Sequence, residues 1–211
     1  MLGLPLNTIV GRAVPKNSFD KQLGRADRDL LTTCVDSIRW EHRLAQDTTG
    51  LESCDLEEIQ VLSIKLKSVE KVNSLLNAID VVMPYYILFV LINGDMVKYH
   101  FAVKHRSVKD EDVCVIDDFF ESDWMREEEG IDKIDVVGSL SSVALDICKI
   151  VAGDDSNIDD IGEYVALHKK KVQLRKQIEQ ITRQIDKCKQ FNKKVELNRT
   201  LQALIRESQS V

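Results

Sequence analysis

Residues 85–103 read YYILFVLINGDMVKYHFAV, two β-type runs that meet at Asn93-Gly94. An Asn-Gly pair supplies the positive φ angles of a type I′ turn, whose twist matches that of paired strands. The first run, Tyr85 to Ile92, is apolar throughout and predicts a central strand covered on both faces. The second run alternates. Val97, Tyr99, Phe101 and Val103 share one face, and Lys98, His100 and Lys104 share the other. Alternation of this kind predicts a strand with one solvated face.

Upstream of this hairpin, Ile59 to Lys67 is a second alternating run, with Leu62, Ile64 and Leu66 on one side. Between the two lie Val72, Leu75, Leu76, Ile79 and Val82 at helical spacing. Ser68 is the expected cap, and Pro84 forces the helix to stop before it. Ile38 to Leu44 also alternates and predicts a strand. Asp20 to Asp36 carries a helical pattern with Leu23, Leu30, Leu31 and Cys34 inward, and Gln46 to Gly50 reads as a loop. Pro5 and Pro15 make the opening irregular. Downstream, residues 109–130 are acidic but hold Phe119, Phe120 and Trp124, rings expected to dock on the body. A short helix is expected from Ser139 to Val151, then a linker at Gly153 to Asn157.

Beyond the linker the composition changes. Residues 163–211 contain neither glycine nor proline, and if wholly helical would span about 70 Å. Leu174, Ile178, Ile181, Ile185 and Cys188 form a seam at alternating steps of four and three. The seam fails at Asn192, and a second stripe of Leu197, Leu201 and Leu204 follows on a shifted phase. Either one helix continues with polar seam residues, or two helices fold back on each other. The absence of glycine and proline favours continuity. A stripe this narrow needs a neighbour, because most helix stability comes from packing.

The net charge of −6 conceals two opposite regions. From Glu163 on there are twelve Lys/Arg and five Asp/Glu, a local charge of +7, while the rest carries −13. An acidic body with a basic arm implies a separate partner for the arm, or docking back on the body. Five scattered cysteines argue against a disulfide framework and for reduced thiols. The opening lacks the apolar run of a signal peptide, and the longest apolar run, near Met83 to Ile92, is too short to span a bilayer. A cytoplasmic chain with no membrane association is expected.

Catalytic signatures are sparse. His42, His100, His105 and His168 show no metal-ligand spacing, and the acidic segment lacks calcium-loop spacing. No Gly-rich phosphate loop or nucleophile elbow occurs. A restriction-type nuclease needs an acid on one strand and Glu-x-Lys on the next. The strand Ser63-Ile64-Lys65-Leu66-Lys67 has no acid two before either lysine, and Glu58 and Asp55 lie upstream. Lys169, Lys170, Lys171, Arg175, Lys176, Lys193 and Lys194 are the candidate phosphate contacts, since phosphate neutralisation needs clustered cations.

Several segments, in this order, carry a resemblance. They are Leu4-Pro5 with Thr8; Val14-Pro15-Lys16 with Phe19; Ile38, Trp40 and Leu44; Glu58-Ile59-Gln60-Val61; Ile79-Asp80; Met83 to Val90; and Gln190-Phe191-Asn192 with Lys194 to Asn198. On these the chain resembles the bacterial domain of unknown function 4391 family. The resemblance implies a bacterial protein encoded beside helicase-like ATPases and DNA methyltransferases, in operons of restriction or phage-defence type. It carries over no catalytic residue.

These readings predict an α+β body, residues 1–153, on a mostly antiparallel sheet, and a basic helical arm of coiled-coil type, residues 154–211. The expected role is a non-catalytic subunit of a DNA-processing assembly, with no cofactor and no metal. Its partner would be a helicase-like ATPase, a DNA methyltransferase or a second copy. Ile178, Ile181 and Ile185 form the expected seam, and Phe191, Asn192, Val195 and Asn198 the expected docking patch. The alternatives are a degenerate or unrecognised metal-dependent nuclease and a DNA-binding module using the basic arm.

Overall fold

The structure is a computed structural model that describes residues 2–53, 56–110 and 112–209. Cys54 and Asp55 lie outside the described residues. The chain divides into two compact units, 1–161 and 162–211.

The first unit is mixed α/β. Strands β1 (Ile9–Val14), β2 (Val35–Ala45), β3 (Glu58–Leu66), β4 (Tyr86–Asn93), β5 (Met96–Arg106) and β6 (Cys114–Glu121) lie side by side in chain order. A two-residue strand, β7 (Met125–Arg126), pairs with the start of β5. Every pairing is antiparallel except β3 with β4. A parallel pair needs a crossover, and helix α3 (Val72–Val82) supplies it.

Two apolar layers flank the sheet. On one face, Leu31 and Cys34 of α1 (Arg25–Cys34) and Leu75, Leu76 and Ile79 of α3 meet Ile38, Leu62, Ile64, Ile87, Phe89 and Leu91. On the other lies α4 (Leu140–Ala152), which packs against β3, β5 and β6 and buries Leu140, Val143, Ala144, Ile147 and Cys148. Ser139 caps α4 by accepting from the Ser142 N–H. Burying this much apolar surface from both sides explains why β4 has no polar face.

Four local expectations change. The β4–β5 turn residues are Gly94-Asp95, because Asn93 pairs with Met96; of the two only Gly94 takes a positive φ, 66°, as a type II′ turn requires. Ser68 does not cap α3; the cap position is Lys71, in the left-handed region at φ 55°. Residues Gln46–Thr49 form a short helix, α2, rather than a loop. The face of β5 expected to be wet is buried, for reasons given below.

The acidic segment contributes β6 and β7, with Phe120 buried and Trp124 packed on the core. Phe119 remains 40% exposed and stacks on His100.

The second unit is a helix pair, α5 (Ile161–Lys187) and α6 (Phe191–Gln209). The continuity favoured by the lack of glycine and proline does not hold. The helix stops at Cys188–Gln190, where Cys188 N–H turns back to Ile185 O and Lys194 N–H opens α6 on Gln190 O. Lys170 pairs with Glu207 at one end, and Arg183, Lys187, Lys193 and Leu197 line a common groove near the turn. The helices therefore run antiparallel. Folding back resolves the phase shift, since two stripes out of register on one rod can share the side where two rods meet.

Candidate functional site

The first constellation is a polar row beneath α3. Lys104 and Asp80 form an ion pair of 2.7 Å with side chains 1% and 0% exposed, and Lys104 also donates to the Asp80 carbonyl. His100 lies 3.9 Å from Asp80 and 4.0 Å from Glu121, stacked on Phe119. Burial pushes the Asp80 carboxyl above its ordinary value, against the pull of Lys104. Glu121 is held down to about 2 by His100 and then by Lys98, 3.0 Å away. A buried charge survives only when paired, so α3 brings the counter-charge that makes burial of β5's polar side tolerable.

The second constellation joins β2 and β3. Arg43 donates to Glu58 at 2.6 Å and to both oxygens of Asp47. Gln60 donates to the other oxygen of Glu58 at 2.6 Å. Glu58 thus opens β3 with its carboxylate fully engaged. Five residues after Glu58, on the opposite face of β3, Ser63 donates to Glu41 at 2.5 Å, and Lys65 follows two residues later. The slot where a Glu-x-Lys motif would place its acid holds Ser63, and the neighbouring strand supplies Glu41. Glu41 went unnoticed in the sequence because its partner comes from another strand. Among the described residues, no three His, Cys, Asp or Glu side chains are grouped to hold a metal ion.

Glu41 and Ser63 border a cavity of about 440 Å³ on the sheet face shared with α4. Its floor is Val61, Val90, Ile92, Val97 and Tyr99, and its wall is the N-terminal segment at Leu2, Leu4, Leu6 and Ile9. Burial lowers the His42 pKa, and its Nδ1 lies 2.9 Å from Thr8 Oγ1. Burial also raises Tyr99.

The third constellation is the helix pair. Of the expected seam, Ile185 is buried and Ile178 and Ile181 are half-buried on α5. The expected docking patch stands apart from it on α6. Phe191, Asn192, Val195 and Asn198 are all exposed, Phe191 by 79%. Steps of one, four and seven residues put them on one face. Helix α6 has no buried residue. The basic positions are scattered. Lys169, Lys170, Arg175, Lys176, Lys193 and Lys194 are exposed, Lys171 is half-buried, and Lys170 is engaged by Glu207.

Architecture and constellations define a mixed α/β sheet protein with an appended helix pair. A family described as Domain of unknown function (DUF4391) matches residues 2–207, and the chain belongs to that family. Neither a curated protein nor a solved structure matches the chain. Cys34, Cys114, Cys148 and Cys188 are free thiols. Among the described residues no helix is long and apolar enough to cross a membrane.

Proposed function

We propose that this protein is a non-catalytic interaction subunit of a bacterial restriction-like or phage-defence DNA-processing assembly. The helix pair is its docking element and meets a larger partner, a helicase-like ATPase or a DNA methyltransferase, in coiled-coil fashion. The observation that carries this reading is α6: nineteen residues without one buried, with an aromatic ring, a valine and two asparagines on one solvent face. Most helix stability in proteins comes from packing of an apolar face rather than from propensity. The charge of +7 beyond residue 162 calls for a partner surface with an acidic rim around apolar contacts.

The test is light scattering of the chain alone, then with the helicase-like ATPase or DNA methyltransferase of the proposed assembly. A stable complex that Val195→Asp dissolves is the expected result. A chain that binds neither protein contradicts the proposal. DNA binding by the same arm would instead appear as affinity falling steeply with added salt.

A second reading, an altered metal-dependent nuclease, draws on the Glu41–Ser63–Lys65 arrangement across β2 and β3. Incubation with plasmid and magnesium or manganese decides it. Cleavage lost in Glu41→Ala, or in Glu58→Ala, would favour this reading over the first.

A further inference from the structure

The cavity over β2 to β5 belongs to neither reading as a working part, yet it is built like a ligand site. Pockets for small molecules typically enclose about 300–1,000 Å³, mostly apolar, with a few convergent polar groups. This one holds about 440 Å³ over an apolar floor of Val61, Val90, Ile92 and Val97. Its polar lining is Glu41, His42, Ser63, Tyr99 and Glu127, with no lysine or arginine.

The hydrogen-bond inventory points one way. Ser63 spends its proton on Glu41 Oε1, and exposed Arg39 approaches the same oxygen at 3.4 Å. Among the described residues Oε2 of Glu41 is left open. Thr8 donates its hydroxyl proton to the Pro5 carbonyl, so its contact with His42 Nδ1 requires the imidazole to donate there. That leaves His42 Nε2 as an acceptor. Glu127 supplies a further carboxylate and has no ion pair among the described residues. The lining therefore offers two carboxylates and an imidazole acceptor against an apolar floor. A ligand that complements it is greasy at one end and donates from a positive nitrogen at the other.

We propose that this cavity binds a small amphipathic amine, with the hydrocarbon part on Val61, Val90, Ile92 and Val97 and the ammonium on Glu41 and Glu127. The site is independent of the helix pair, so it stands or falls apart from the docking proposal.

The test uses n-hexylamine and phenethylamine as probes, with hexanol and hexanoate as controls, by titration calorimetry and amide chemical-shift mapping on the full chain. Both amines are expected to bind, with shifts at Glu41, Ser63, Val90, Val97 and Tyr99, and hexanoate is expected to bind at least tenfold more weakly. Glu41→Gln should weaken amine binding about tenfold, and Val90→Phe, which fills the floor, should abolish it. Thermal melting verifies that each variant is folded. If Val90→Phe fails to fold, Glu41→Gln and the control ligands still decide the matter. No amine binding, equal binding of hexanoate or hexanol, unchanged affinity in Glu41→Gln, or shifts elsewhere would each overturn the proposal.

Discussion

The two units of this chain handle their apolar residues in opposite ways. In the first, sheet strands and helices bury large side chains almost to completion; Phe89, Phe101, Leu76 and Ile79 are wholly enclosed. In the second, the buried apolar residues among those described are Tyr164, Val165, Leu174 and Ile185, all on α5. Phe191, the largest apolar side chain of α6, faces solvent. One unit uses its hydrophobic residues to fold. The other keeps several in reserve, and a reserve of that kind has value only when something else covers it.

Substitutions can break that contrast or sharpen it. The largest effect is expected at the buried ion pair. Asp80→Ala strands the Lys104 ammonium in a dry site, and breaking such a pair costs about 3–5 kcal/mol. Urea unfolding of the variant should register this loss, and a change below about 1 kcal/mol would mean that Lys104 escapes to water. Leu76→Ala should cost about 2–5 kcal/mol in the same assay, since the side chain is fully enclosed. Phe191→Ala, by contrast, should lie within about 0.5 kcal/mol of the parent.

A pH titration sharpens the same picture. Glu121 is depressed from 4.5 to about 2 in the folded chain, so the unfolded chain takes up the proton first as pH falls. Its contribution is complete above about 4.5 and is lost as pH drops towards about 2. Glu121→Gln should flatten the stability profile in that window, lowering stability at neutral pH, where the contribution is complete, and making little difference near pH 2. A small effect of opposite sign is expected at Lys71. A non-glycine residue in the left-handed region is disfavoured by about 1–2 kcal/mol, partly offset by the greater freedom of glycine when unfolded. Lys71→Gly should therefore raise stability by about 0.5–1 kcal/mol.

How much of this was legible in the sequence follows from how local each cause is. The β4–β5 hairpin and α3 announce themselves through nearest-neighbour patterns, and both occur, with the turn one residue later than Asn93-Gly94 and the α3 cap at Lys71 instead of Ser68. Strand β1 does not, because an edge strand with mostly exposed side chains has no reason to alternate. Alternation on β5 was real, but it could not reveal that α3 would cover the polar side and bring Asp80 to Lys104. Glu41 became visible only once β3 put Ser63 beside it. The fold-back at Cys188–Gln190 has no glycine or proline to mark it. Its trace was the failed seam at Asn192, whose meaning depends on which stripe each helix turns inward.

Leu197, Leu201 and Leu204 of α6 are half-buried, whereas Phe191, Asn192, Val195 and Asn198 are exposed, and the central proposal is that a partner covers this second face. Residue-resolved hydrogen exchange tests this directly, on the dilute lone chain and on the chain saturated with the proposed partner, a helicase-like ATPase or a DNA methyltransferase. The account predicts slow amides in β3, β4 and β5 in both samples, with residues 191–209 exchanging fast alone and slowing by a factor of a hundred or more in the complex. Slow exchange across residues 191–209 in the lone chain, unchanged on adding either protein, would contradict it.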